Sequence, residues 1–143
     1  MTKTWILISD AHRARCFERN AADQSLTELA DFVFPLATVQ QEAAKGHGRT
    51  GHAGTQFEPH SEVHAKARSS FARQLASYLN HAVGEHLCHA LVLIATSPML
   101  GELQLFLNSG TQAVLKRCVP IDLTHYTGPE LKSRVTEALQ LPD

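Results

Sequence analysis

Cysteine is scarce in this sequence and wrongly spaced for a disulfide scaffold. Cys16, Cys88 and Cys118 form neither an even set nor a CxxC pair. Buried structural thiols are therefore the expectation. No apolar stretch approaches the roughly 18 residues of a membrane span. The run at residues 5–8, after Met1, Thr2 and Lys3, is also too short for a secretory signal. A cytoplasmic chain with no membrane partner is expected. Strong charge of either sign is missing as well. The net charge is −1, which argues against coating DNA or any nucleic acid by bulk electrostatics. No GxSxG elbow is present. Asp10 and Asp122 each follow an apolar run and could converge at one sheet edge. A two-metal nuclease needs more carboxylates than these, and no convincing third or fourth stands out. Asp10 reads as a turn residue, and no cofactor is expected.

What remains is a chain of 143 residues, 43% hydrophobic, which fits one domain with its own core. Trp5, Ile6, Leu7 and Ile8 form a continuous apolar run, the pattern of a central strand covered on both faces. Turn residues at 9–12 and 20–23 separate it from strands at 13–19 and 26–34, and such short connections predict an antiparallel meander. Residue 61 opens a helix whose apolar stripe is Val63, Ala67, Phe71, Leu75, Tyr78, Leu79 and Ala82. Lys66, Ser70, Arg73 and Ser77 fall on its opposite side, and Gly84 ends it. A second buried strand at residues 90–95 precedes Ser97 and Pro98, read as N-cap and first helical residue. A last strand is expected at 118–123, and a short helix after Gly128-Pro129 through Leu139. The order βββαβαβα predicts an α/β domain spanning 1–143. Its mixed sheet has an antiparallel first half, parallel βαβ crossovers in the second, and helices on both faces.

Residues 35–60 break the pattern. They hold four glycines and little to bury, and a stretch this long without periodicity in a compact domain is either functional or disordered. From Lys45 to Arg73 there are five lysines and arginines against two glutamates, a local net of +3. His47, His52, His60 and His64 lie in the same span. Lys45, Arg49, Lys66 and Arg73 are thus candidates for contacts to a phosphate backbone. The competing reading is a solvated helix face. Ser97 and Gly101 add a second candidate, because a helix N-terminus after a buried strand binds anions. His60 and His64, four apart, have the spacing of zinc ligands. With no cysteine nearby and the usual carboxylate partner of such a motif absent, both read instead as core or capping residues on the apolar side.

Several segments look familiar together. Residues 5–10 followed by Ala14, Arg15, Cys16 and Phe17 resemble the opening of bacterial proteins described as required for attachment to host cells. The likeness continues at Gly48-Arg49, at residues 71–75, at residues 96–103 and at residues 121–124. That family resembles the middle domain of archaeo-eukaryotic release factors, which implies a ribonuclease-H-like sheet and a ribosome or tRNA as partner. In release factors the long loop carries a Gly-Gly-Gln tip. The corresponding element here is Gly54-Thr55-Gln56. The resemblance implies a non-enzymatic translation-associated module. The enzymatic alternative is a hydrolase of peptidyl-tRNA or a related ester, with Gln56 orienting water. Thr55 departs from the pattern because a β-branched residue does not take the open glycine geometry cheaply, so no turnover is expected. A third reading is a cytosolic interaction protein that affects attachment indirectly. Oligomeric state is not legible.

Overall fold

The computed structural model describes residues 2–35 and 59–141, the side chains of residues 59–61 excepted. Strands β1 (Thr4–Ser9), β2 (Arg13–Arg19) and β3 (Leu26–Val33) form the expected meander. Asp10 makes the first turn: its Oδ1 accepts the backbone N–H of His12 at 2.8 Å and of Arg13 at 2.7 Å. Helix α1 (Pro59–Gly84) follows, then β4 (Ala90–Ala95), α2 (Ser97–Phe106), α3 (Ser109–Val114), β5 (Leu115–Val119) and α4 (Gly128–Leu139). The sheet order is β3-β2-β1-β4-β5. β1 pairs antiparallel with β2 and parallel with β4, and β4 pairs parallel with β5. The mixed sheet is the one expected.

The apolar run at residues 5–8 sits in the middle of this sheet because both of its faces are covered. Trp5 and Leu7 face α1 and α2, in one core with Phe71, Leu75, Leu79, Leu91, Leu93 and Leu103. Ile6 and Ile8 face the other side, where Leu131, Val135 and Ala138 of α4 close a smaller core with Val92, Ile94 and Val119. On α1 the buried positions include Ala67, Phe71, Leu75, Leu79 and Ala82, while Lys66, Ser70, Arg73 and Ser77 are exposed.

Three local expectations are corrected, while the long helix ends at Gly84 as expected, with the stop made by the residues just after it. His86 has φ 61°, the N–H of Leu87 bonds to the Ala82 carbonyl, and that of His86 to Val83. This is a Schellman stop, with a histidine in the left-handed position that glycine usually takes. The N-cap of α2 is Thr96, with no side-chain cap bond, so Ser97 is the first helical residue and not the cap. The segment after α2 is a second short helix, α3. Asn108 caps it by accepting from the Thr111 N–H at 2.9 Å. Asn80 of α1 brackets the break, donating to the Phe106 carbonyl at 3.1 Å and accepting the Asn108 N–H at 3.0 Å. The last strand covers Leu115–Val119 and not 118–123. Pro120, with no N–H to give the ladder, ends it.

Burial keeps two of the three thiols protonated. It pushes Cys16 up to about 12, with Cys88 nearby adding to the rise. Burial likewise raises Cys88 to about 11. Cys118 departs from the expectation, being only half-buried in β5, where its Sγ accepts from Gln104 Nε2 at 3.0 Å. Native chain treated with a thiol reagent at pH 8 should label at Cys118, with Cys16 and Cys88 reacting only after denaturation. An unfolded chain releases the thiol protons near pH 9 while the folded chain holds them. Stability should therefore decline as pH rises from about 9 towards 12.

Candidate functional site

β1, β4 and β5 run parallel, so their carboxyl ends share one edge of the sheet. The chain leaves β1 towards β2 on one side and returns to β4 on the other. That is a topological switch, and ligands of open α/β sheets bind outside strand ends at such points. Three segments meet there: the turn after β1, the start of α2 after β4, and residues 120–127 after β5. The Thr96 N–H bonds to the Ser9 carbonyl at 3.3 Å, joining the first two. The N-terminal part of α1 approaches as well, with the His64 ring edge-on to His12 at 6.5 Å between centroids.

Asp10 and Asp122 do converge at this edge, and Thr124 stands between them. Its buried hydroxyl lies 2.6 Å from Asp122 Oδ1 and 3.2 Å from Asp10 Oδ2. The Thr124 N–H also donates to Asp122 Oδ1, at 2.9 Å. His125 completes the group: one ligand atom from each of Asp10, Asp122 and His125 lies within 4.8 Å of the others. Asp10 is thus a turn residue through Oδ1 and a site residue through Oδ2.

The third partner missing from the sequence reading is a histidine, not a carboxylate. The misplaced last strand hid it, since residues 121–123 inside a strand would have pointed elsewhere. Pro120 was the available signal. Arg15 holds the loop in place. Its guanidinium pairs with Glu28 at 3.0 Å, donates to the Tyr126 carbonyl at 2.8 Å and stacks on Phe17.

The other candidates are more scattered. Lys66 and Arg73 are exposed on α1, as expected, and Arg73 lies 4.8 Å over the Phe106 ring. Phe106 is the last residue of α2 and Ser97 the first, so Arg73 and the Ser97–Gly101 turn sit at opposite ends of a helix about 15 Å long. Ser97 and Gly101 are exposed. His64 is exposed rather than on the apolar side. Lys45, Arg49, Gly54, Thr55, Gln56 and the His60 side chain lie outside the described residues. A cavity of about 510 Å³ lined by Lys3, Glu18, Arg19 and Asn20 opens at the amino edge, far from this chemistry.

A mixed α/β sheet with polar groups gathered at one edge defines a fold class and not a particular activity. The family is more definite. Residues 5–135 match the family described as "Protein required for attachment to host cells", and the chain belongs to it. No curated protein matches the sequence. Among solved structures, an archaeal actin homolog, Ta0583, is similar at 9% identity and TM-score 0.49 over 95% of this chain and 49% of its own. The Ppx/GppA phosphatase of Aquifex aeolicus is similar at 14% identity and TM-score 0.42, over 86% of this chain and 36% of its own. A PilM–PilN type IV pilus biogenesis complex gives 12% and 0.43, over 92% and 41%. The chain spans a third to a half of the length of these solved chains. No helix among the described residues is long and apolar enough to cross a membrane.

Proposed function

We propose that this protein is a non-enzymatic, cytoplasmic, translation-associated module that docks on ribosomal RNA or tRNA through the exposed face of α1. The observation that carries the reading is the state of Lys66 and Arg73. Both are exposed on the side of α1 away from the core. Neither meets an acidic side chain among the described residues, whereas Arg13 and Arg15 are held by Asp31 and Glu28. Ser70 and Ser77 on the same face offer hydroxyls to phosphate oxygens. Lys45 and Arg49 precede this helix in the sequence and extend the basic character. The resemblance to release-factor middle domains, with a ribonuclease-H-like sheet, favours the same class of partner. The family's attachment name then describes an indirect effect.

Lys66→Ala with Arg73→Ala should weaken RNA or ribosome association about tenfold at moderate salt. Two lost phosphate contacts should also reduce the slope of log affinity against log salt by up to about 1.8. Filter binding across a salt series measures both. An unchanged slope and affinity would remove α1 as the docking face.

A further inference from the structure

We infer that the carboxyl edge of the sheet holds a divalent cation of the first transition row, bound by Asp10, Asp122 and His125. This does not rest on the RNA reading. Ligand atoms around such an ion lie roughly 3–4 Å from one another. The three side chains already bring theirs within 4.8 Å, so small side-chain rotations close the set.

Both carboxylates are oriented for the task. Asp10 Oδ1 is taken by two backbone N–H groups and Asp122 Oδ1 by the N–H and hydroxyl of Thr124. That leaves the Oδ2 atom of each without a backbone donor. Hydrogen bonds of this kind aim metal ligands before the ion arrives.

No lysine or arginine among the described residues pairs with Asp10 or Asp122, although Arg13 and Arg15 are close in sequence and committed elsewhere. The Thr124 hydroxyl cannot settle the matter, having one proton for two carboxylates. The 2.6 Å contact to Asp122 is the shorter, so Asp10 Oδ2, at 3.2 Å, receives the weaker share of that proton. A cation would give Asp10 Oδ2 the positive partner that this shared hydroxyl supplies only weakly. The imidazole decides the kind of ion. Two carboxylates alone suit Mg²⁺ or Ca²⁺, whereas a nitrogen ligand shifts preference towards Mn²⁺ through Zn²⁺. Asp122 and His125 are exposed, so coordination positions stay open to water or an anionic ligand.

The test uses the full chain, freed of metal by a chelator and titrated with Mn²⁺ followed by electron paramagnetic resonance, and with Zn²⁺ by calorimetry. Saturable binding of one ion per chain is expected. Asp122→Asn and His125→Ala should each weaken it at least about tenfold, while His60→Ala with His64→Ala leaves it unchanged. Imidazole nitrogen coupling to bound Mn²⁺ should be present in the unmodified chain and absent in His125→Ala. Since His125 is exposed, that variant keeps the fold even if Asp122→Asn does not. Absence of saturable binding overturns the assignment. So does binding that survives His125→Ala with its nitrogen coupling intact, or binding lost with the His60 and His64 pair.

Discussion

Phe71→Ala should lower the free energy of unfolding by about 3–5 kcal/mol, the usual cost of removing a fully buried aromatic side chain from a core. Phe71 has no exposed surface and sits midway along α1, in the larger core with Leu7, Leu75, Leu91 and Leu93. Its ring also packs at 5.8 Å against Phe34, whose N–H bonds to the His12 carbonyl just beyond β3. Truncation therefore opens a cavity under the helix and frees the end of the meander. Neighbouring α1 positions close to the sheet are Ala72 and Ala76, which are too small to fill the gap. Urea denaturation should show a lower midpoint with an unchanged m-value. Arg73→Ala, two positions along on the exposed side, should cost no more than about 1 kcal/mol, the loss of its contact over the Phe106 ring. A loss below 1 kcal/mol for Phe71→Ala would mean that α1 does not depend on this packing.

Arg15→Met should cost about 2–3 kcal/mol, although it replaces a charge in the fold with an apolar group of similar reach. Arg15 is 7% exposed. Removing it leaves the Tyr126 carbonyl without its 2.8 Å donor and Glu28 without both guanidinium contacts. A fully buried pair broken in this way loses about 3–5 kcal/mol. The Glu28 side chain is 39% exposed, so water solvates it after the change and the loss is smaller. The second consequence is local. Arg15 is the link between β2 and the loop that carries Asp122, Thr124 and His125. Hydrogen exchange at residues 122–126 should therefore accelerate in the variant by more than its global stability explains. Equal exchange there would show that the loop is held by other contacts. A double-mutant cycle with Glu28→Gln separates the ion pair from the carbonyl bond.

Most of the sheet was legible because its central strands are buried on both sides and so read as unbroken apolar runs. Residues 5–8 and 90–95 needed no periodicity to be recognised. Helix α1 was legible for the opposite reason, its stripe from Ala67 to Ala82 keeping helical spacing. β5 was misread because its own residues, Lys116 and Arg117 among them, look unlike a buried strand. The apolar Ile121 and Leu123 that follow look more like one, yet they pack against the smaller core from a loop. The split between α2 and α3 depends on Asn80, a residue 26 positions before Phe106, as well as on the local cap Asn108. At the candidate site the meeting of Asp10 and Asp122 could be anticipated from strands ending side by side. His125 was harder to see, since its place depends on how residues 120–126 curve back across the edge, and Pro120 marks only where the strand ends.

The register of β1 has a consequence for how the chain comes together. Thr4 pairs with Ala90 and Ser9 with Ala95, partners separated by most of the sequence. The three-stranded meander can form from local contacts alone, but it then leaves β1 at its border. Trp5 to Ile8, the most apolar segment of the amino-terminal half, stays unpaired on one side until α1 and β4 have been synthesised and docked. Open apolar borders of this kind recruit other chains. A fragment ending before β4 should therefore self-associate more readily than the full chain, and growing chains on the ribosome are exposed to that hazard until β4 emerges.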